Sequence, residues 1–287
     1  MSNIEVGISG WNYKGWRGTF YPEDLPSRQE LEFASRQLPT IEINSTFYSL
    51  HKPTSFQRWY DLTPPHFVFS VKANRYITHV KRLKDVEVPM ANFFASGILS
   101  LKEKLGPILW QFPPSMDFKP ERFETFLKLL PKDFKEASKL AERSTLSLER
   151  KFRIYEKNLK IRHAIEVRNN SFLNPWFVEL LKKYNVAIVF ADTAGKWPYL
   201  EDITADFIYI RLHGDSELYV SGYDNETLDF WSKRIKTWMK GKEPTNRLTI
   251  SDEKASPIER DIYIYFDNDA KVRAPVDAKG LIERLRN

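Results

Sequence analysis

The chain has 287 residues, 42% of them apolar and 14% aromatic, with a formal net charge of +6 and no cysteine. A chain of this length and apolar content supports one large core, and without cysteine it has no disulfide, no thiolate metal site and no cysteine nucleophile. No uninterrupted apolar run is long enough for a transmembrane helix, and the mild basic excess favours anionic partners such as phosphates or nucleic acid without requiring them.

Met1-Ser2-Asn3-Ile4 leads at once into an apolar segment, which leaves no room for a signal peptide and gives the expectation of a cytoplasmic protein. Eight short apolar segments follow in chain order, each ending in polar residues: Ile4–Ser9, Thr40–Asn44, Phe67–Lys72, Ile108–Phe112, Ala164–Arg168, Ala187–Asp192, Phe207–His213 and Ile262–Asp267. Helical patterns separate most of them. Ser27–Gln37 follows a proline and has the spacing of a capping box between Ser27 and Glu30. Pro53–Leu62, Pro89–Leu105 (closed by Gly106) and Pro120–Leu130 read as the next three helices. Residues 132–160 are rich in Lys, Arg and Glu and read as an extra helical insertion. Phe172–Tyr184 and Asn225–Met239 are helical, and Pro275–Leu285 closes the chain. The stretch 195–205 is too short and too rich in Trp and Pro for a full helix, and 241–260 is polar, aperiodic and read as a flexible insertion. Eight strands alternating with helices predict a single-domain α/β (β/α)8 TIM barrel over 1–287, with an irregular or missing helix between strands six and seven.

Residues two apart share one face of a strand. Glu42 with Asn44, Ser70 with Lys72, Glu166 with Arg168, Tyr209 with Arg211 and His213, and Tyr265 with Asp267 each oppose apolar neighbours. An outer face covered by helices is apolar, so this parity aims the polar set into the barrel, at the C-terminal mouth where such folds carry their sites. Glu42, Glu166, Asp192 and His213 are the candidate catalytic groups, as acids, bases or ligands of a divalent metal. Lys72, Arg75, His79, Arg168 and Arg211 form a cationic set suited to an anion, with Asn44, Gln111, Asp267 and Asn268 beside it. Trp11 and Tyr13, and the Thr46-Phe47-Tyr48 stretch, offer rings that stack on a base or sugar, or simply pack a long loop. Structural ion pairing, Glu166 with Arg211 or Asp192 with Arg168, accounts for part of the same pattern. On this reading Arg211→Ala and Glu166→Ala abolish function and leave the fold intact. No P-loop, GxGxxG, HExxH or GxSxG is present, so no nucleotide cofactor is expected.

Several motifs together resemble the YecE-like family, domain of unknown function 72. They are Gly7-Ile8-Ser9-Gly10-Trp11 with Phe20-Tyr21-Pro22, Glu42-Ile43-Asn44-Ser45-Thr46-Phe47-Tyr48, Lys72-Ala73 with Ile77-Thr78-His79, Leu109-Trp110-Gln111-Phe112-Pro113-Pro114, Glu166-Val167-Arg168, Arg211-Leu212-His213-Gly214 and Tyr265-Phe266-Asp267-Asn268-Asp269. The resemblance spans nearly the whole chain and implies a barrel similar to endonuclease IV and the xylose-isomerase-like group, without implying an activity. Where the family usually has Arg-His-x-Ser-Trp, this chain has Arg168-Asn169-Asn170-Ser171-Phe172, so a role at that histidine does not apply here. A trinuclear zinc centre needs many histidines, and only His79 and His213 are placed for one. Two readings stand at this point. One is a hydrolase or lyase acting on a phosphorylated or nucleic-acid ligand, with a sugar-phosphate isomerase or lyase as a variant. The other is a non-catalytic anion- or nucleic-acid-binding module. No membrane contact and no protein partner is read from the sequence.

Overall fold

The structure is a computed structural model that describes residues 2–147 and 157–286. Eight parallel strands close into a barrel in chain order, β8 pairing back on β1. They are β1 Ile4–Ser9, β2 Thr40–Ile43, β3 Val68–Lys72, β4 Leu105–Gln111, β5 His163–Glu166, β6 Ala187–Asp192, β7 Phe207–Leu212 and β8 Asp261–Phe266. The helices are α1 Glu30–Gln37, α2 Ser45–Tyr48, α3 Pro53–Leu62, α4 Glu87–Ala95, α5 Pro120–Leu129, α6 Phe134–Ala141, α7 Pro175–Tyr184, α8 Asn225–Met239 and α9 Arg273–Arg286. This is a (β/α)8 TIM barrel. No helix among the described residues is long and apolar enough to cross a membrane.

The two strand faces bury different chemistry. Ile8, Ile41, Ile43, Phe69, Val71, Ile108, Trp110, Ile165, Ile188, Phe190, Ile208, Ile210, Ile262 and Ile264 pack outward into the helix layer. Leu109, Ala164, Ala187, Val189, Ala191, Tyr209, Tyr263 and Tyr265 fill the interior. The register then sets polar residues side by side at the mouth: Ser9 beside Glu42, Glu42 beside Ser70, and Gln111 beside Glu166.

Four local expectations change. The capping box does not form, because Ser27 Oγ accepts from Arg17 Nη2 at 2.7 Å and buried Glu30 pairs with the same guanidinium. Residues 27–29 are a 3₁₀ turn and the α-helix starts at Glu30. The expected third helix is split. Gly97 adopts φ +114°, where a Cβ would lie 2.5 Å from Pro53 Cα, and the chain turns there from α4 into a 3₁₀ stretch, Ile98–Lys104. Consequently β4 begins at Leu105, ahead of Ile108. Within 132–160, α6 is capped by Asp133, whose Oδ1 accepts from Glu136 N at 2.8 Å; residues 148–156 lie outside the described residues.

No helix lies between β6 and β7. Residues 241–260, which contain no helix or strand, run alongside that connection and are tied to it by Glu201 and Asp202.

Candidate functional site

Arg211 stands at the centre of the mouth and is fully buried. Its Nη1 donates to Glu166 Oε2 at 2.6 Å, and its Nη2 donates to Glu42 Oε1 and to Asp267 Oδ2, both at 2.8 Å. One guanidinium from β7 thus binds carboxylates from β2, β5 and the end of β8. Glu42 also accepts from Ser9 Oγ at 2.9 Å and from Tyr209 Oη at 2.6 Å. Glu166 also accepts from Arg168 Nε at 2.7 Å. Burial pushes the Glu166 carboxyl upward, but Arg168 and Arg211 overcome it and hold it well below the usual carboxylate range. Asp267 is set in the same way: burial raises it, and Arg211, His213 and Lys72 bring it down to about 2.

This arrangement reassigns several residues. Arg211 was expected to hold an anion directly; its side chain is instead spent on three internal carboxylates. Glu42 and Glu166 are hydrogen-bonded and paired, so neither presents an idle oxygen as a general base. His213 is fully buried, with Nδ1 3.1 Å from Asp267 Oδ2 but out of line for a hydrogen bond. It belongs to the network rather than the cleft surface.

Above the network lies a cleft of about 660 Å³, lined by Tyr13, Asn44, Phe47, Tyr48, Lys72, Arg75, His79, Gln111, Arg168, Tyr219, Asp267 and Asp269. Eight of these, Tyr13, Asn44, Lys72, Arg75, His79, Gln111, Arg168 and Asp267, are predicted ligand-binding residues brought together from the strand ends and the connections that follow them. Lys72 Nζ sits 4.6 Å from the centre of the Phe47 ring and, among the described residues, makes no ion pair or hydrogen bond. Burial and the Arg211 charge lower its ammonium to about 8, against the opposing pull of Asp267, Glu42 and Glu166. Burial, followed by the charges of Lys72, Arg168 and Arg75, lowers His79 to about 4, so its ring is neutral near pH 7. Arg168 is fixed by Glu166, by Tyr219 Oη at 3.1 Å, and by the Trp197 ring 3.8 Å beneath its guanidinium. Asn44 Oδ1 is buried without a hydrogen-bond partner, and Gln111 is buried at the cleft floor.

Three predicted residues go elsewhere. Asp192 is on the opposite face of β6, in register with outward-facing Leu212, while Ala191 faces in. It accepts from Tyr223 Oη at 3.0 Å and lines a separate cleft with Trp197, Tyr199 and Trp231. The expected pairing with Arg168 is absent. Asn268 turns away from the mouth and donates to Ser221 O and Asp277 Oδ2, tying the β8 end to α9. Trp11 packs edge-on against Trp59 in a neighbouring cleft, with Tyr13 and Asn44 in the wall between the two clefts.

Tyr209, Tyr219 and Trp197 were not singled out from the sequence as site residues. Tyr209 had a signal, the inward parity it shares with Arg211. Tyr219 and Trp197 lie in loops, where no period applies. Among the described residues, no three His, Asp or Glu side chains are grouped to hold a metal ion. The carboxylates that sequence parity offered as metal ligands point at guanidinium and hydroxyl donors instead.

A closed parallel barrel whose strand ends meet in one charged cleft defines a (β/α)8 protein with its candidate site at the C-terminal mouth. The chain belongs to the DUF72 family, whose model, described as a protein of unknown function, matches residues 5–287. It is similar to the UPF0759 protein YunF of Bacillus subtilis (strain 168), 30% identical over 123 residues, which are 41% of this chain and 43% of that protein. The match therefore spans less than half of that relative's length. Among solved structures, a DUF72 family protein of Thermotoga maritima MSB8 aligns with TM-score 0.71 and 25% identity over 99% of this chain and 100% of that one. Another, from Enterococcus faecalis V583, has TM-score 0.68 and 17% identity over 99% and 96%, a likeness of fold.

Proposed function

We propose that the mouth cleft binds a small anionic ligand, a metabolite bearing a phosphoryl or carboxylate group. The observation that carries this reading is Lys72: an ammonium without a carboxylate partner, in a cleft it shares with Arg75 and Arg168. The carboxylates closest in charge to satisfying it, Glu42, Glu166 and Asp267, are already bound by Arg211. An incoming anion gains a charge-assisted contact with a partly buried ammonium that, among the described residues, has no ion pair of its own. Neutral His79 and the side-chain amides of Asn44 and Gln111 supply further hydrogen-bonding groups at the same surface.

A cleft of about 660 Å³ suits a small ligand better than an extended strand of nucleic acid, which needs a groove along its backbone. The binding role also has more support than hydrolysis, since Glu42 and Glu166 have no idle oxygen for proton abstraction.

Calorimetry with inorganic phosphate and a panel of phosphorylated metabolites tests the reading, with a single-stranded oligonucleotide as comparator. Lys72→Met is expected to weaken binding roughly tenfold or more, the size of one charged hydrogen bond. Its thermal stability is expected to stay close to that of the native chain, because Lys72 is partly exposed and holds no ion pair among the described residues. If Lys72→Met binds the same anion as tightly as the native chain, the site lies elsewhere.

A further inference from the structure

The cation cleft has an aromatic neighbour. Across β1, β2 and β3, Ser9 pairs with Glu42 and Glu42 with Ser70. Two residues further along each chain segment come Trp11, Asn44 and Lys72. The ends of β1 and β3 lie two strand spacings apart, about 10 Å, with the end of β2 between them. Trp11 lines a cleft of about 440 Å³ with Trp59 and His51, Lys72 lines the cation cleft, and Tyr13 and Asn44 line both.

The rings of the smaller cleft are fixed by edge-on packing. Trp11 and Trp59 have centroids 5.4 Å apart, and His51 meets Trp59 at 5.1 Å. Both indoles are only half-buried, so each keeps surface toward the cleft. At the junction, Asn44 Oδ1 is buried without a hydrogen-bond partner, and a buried acceptor of this kind is costly until a donor reaches it. Arg28 and Arg58 also line the smaller cleft, but both are exposed, where an ion pair contributes little. Arg168 is 10% exposed and Lys72 is half-buried, so the stronger hold on an anion lies on the other side of Asn44.

We propose that the two clefts form one site for a nucleoside monophosphate. The phosphoryl group lies among Lys72, Arg75 and Arg168, a ribose hydroxyl donates to Asn44 Oδ1, and the base packs against Trp11 and Trp59. This rests on the anion-binding reading of the mouth cleft and adds what the anion is attached to. Inorganic phosphate or a short carboxylate uses the cations alone. A sugar phosphate also supplies the hydroxyl that Asn44 lacks, but leaves the indoles without a partner. A base supplies the flat apolar surface that indole rings bind, and the span from phosphate to base matches the separation of the strand ends.

Calorimetry on the native chain compares adenosine 5′-monophosphate (AMP), ribose 5-phosphate, adenosine and inorganic phosphate. AMP is expected to bind roughly tenfold or more tighter than ribose 5-phosphate, the size of one stacked base. Adenosine is expected to bind more weakly than AMP. Trp11→Leu is expected to lose the advantage of AMP and to keep the native affinity for ribose 5-phosphate, whereas a merely structural role for Trp11 would weaken both ligands together. Equal affinity for AMP and ribose 5-phosphate, with phosphate still bound, overturns the nucleotide and leaves the anion site standing. Native-like AMP binding by Trp11→Leu overturns the placement of the base. Adenosine bound as tightly as AMP, with neither phosphate nor ribose 5-phosphate bound, overturns the anion reading and the nucleotide with it. Should Trp11→Leu not fold, the comparison of AMP with ribose 5-phosphate on the native chain decides the matter alone.

Discussion

Arg211 and Glu166 meet at 2.6 Å inside the barrel, with neither side chain more than 1% exposed. The same guanidinium carries Glu42 and Asp267, so three strands are joined through one cation. The expectation that Arg211→Ala would leave the fold intact therefore gives way. Removing the guanidinium leaves the buried carboxylates of Glu42 and Glu166, and Asp267 beside them, without their shared cation, and unpairing a buried ion of this kind costs about 3–5 kcal/mol. Urea unfolding of Arg211→Ala is expected to show a loss of that size. A loss below about 1 kcal/mol would mean that the carboxylates find other partners or protonate, and that the network does not depend on Arg211.

A second stability term lies below the mouth, in His163. Its Nδ1 accepts from Trp110 Nε1 at 3.1 Å and its Nε2 faces Pro131 O at 2.8 Å, so the ring is held as the neutral tautomer protonated on Nε2. A proton on Nδ1 would point at the Trp110 N–H. Burial lowers this histidine to about 4 from 6.5, against the hydrogen bond to Pro131. Because the folded value lies below the unfolded one, the unfolded chain binds the extra proton between those values. The stabilisation from keeping His163 neutral is complete above about pH 6.5 and is lost as pH falls toward 4. It amounts to about 3 kcal/mol at most. His79 titrates over the same window with the same sign, so the useful comparison is His163→Gln. Urea midpoints at pH 7 and pH 4.5 are expected to converge more in that variant than in the native chain. Equal acid sensitivity of the two would assign the effect to other groups.

Strand parity made the buried network and part of the cleft above it legible in advance. Glu42, Lys72, Glu166, Arg168, Arg211, His213 and Asp267 all lie on the inward faces that alternation assigns. It failed at Asp192, where the strand is apolar on both faces and its last residue carries no face of its own in the sequence. Ala191, small and inconspicuous, is the inward residue there. Asn268 failed for a related reason: it follows the strand by two residues, where the turn decides direction. Parity also gives a face but not a partner. Several carboxylates and the four cations Lys72, Arg75, Arg168 and Arg211 on one rim admit many pairings, and only the register of the closed barrel places Arg211 within reach of Glu42, Glu166 and Asp267 together. That closure turns an expected ligand contact into an internal cross-link and, among the described residues, leaves the cleft-lining Lys72 and Arg75 without an ion pair. The split of the expected third helix rests likewise on a contact distant in sequence, the close approach of Pro53 to Gly97.

The connection between β6 and β7 lacks a helix, and its place is taken by a strap held through two buried carboxylates. Asp202, 3% exposed, accepts from the backbone amides of Ile250 and Ser251, each at 2.9 Å. Glu201 accepts from Leu248 N at 3.0 Å and pairs with Arg234 of α8. With no ladder of its own, the strap 247–251 is held by these bonds, by Glu201 N donating to Leu248 O at 2.7 Å, and by Arg247 donating to Glu243 and to the carbonyls of Asp252 and Glu253. Asp202→Ala removes the acceptor for two amides at once, and each amide left unpaired costs about 1–3 kcal/mol locally. That is enough to open the strap without unfolding the barrel, since local openings need less free energy than global ones. Trypsin cleavage after Arg247 or Lys254 is expected to accelerate roughly tenfold or more in Asp202→Ala, with the main unfolding transition little changed. An unchanged cleavage rate would show that the bonds of Glu201 and Arg247 hold the strap without Asp202, and a matching fall in the main transition would show that strap and barrel unfold as one unit.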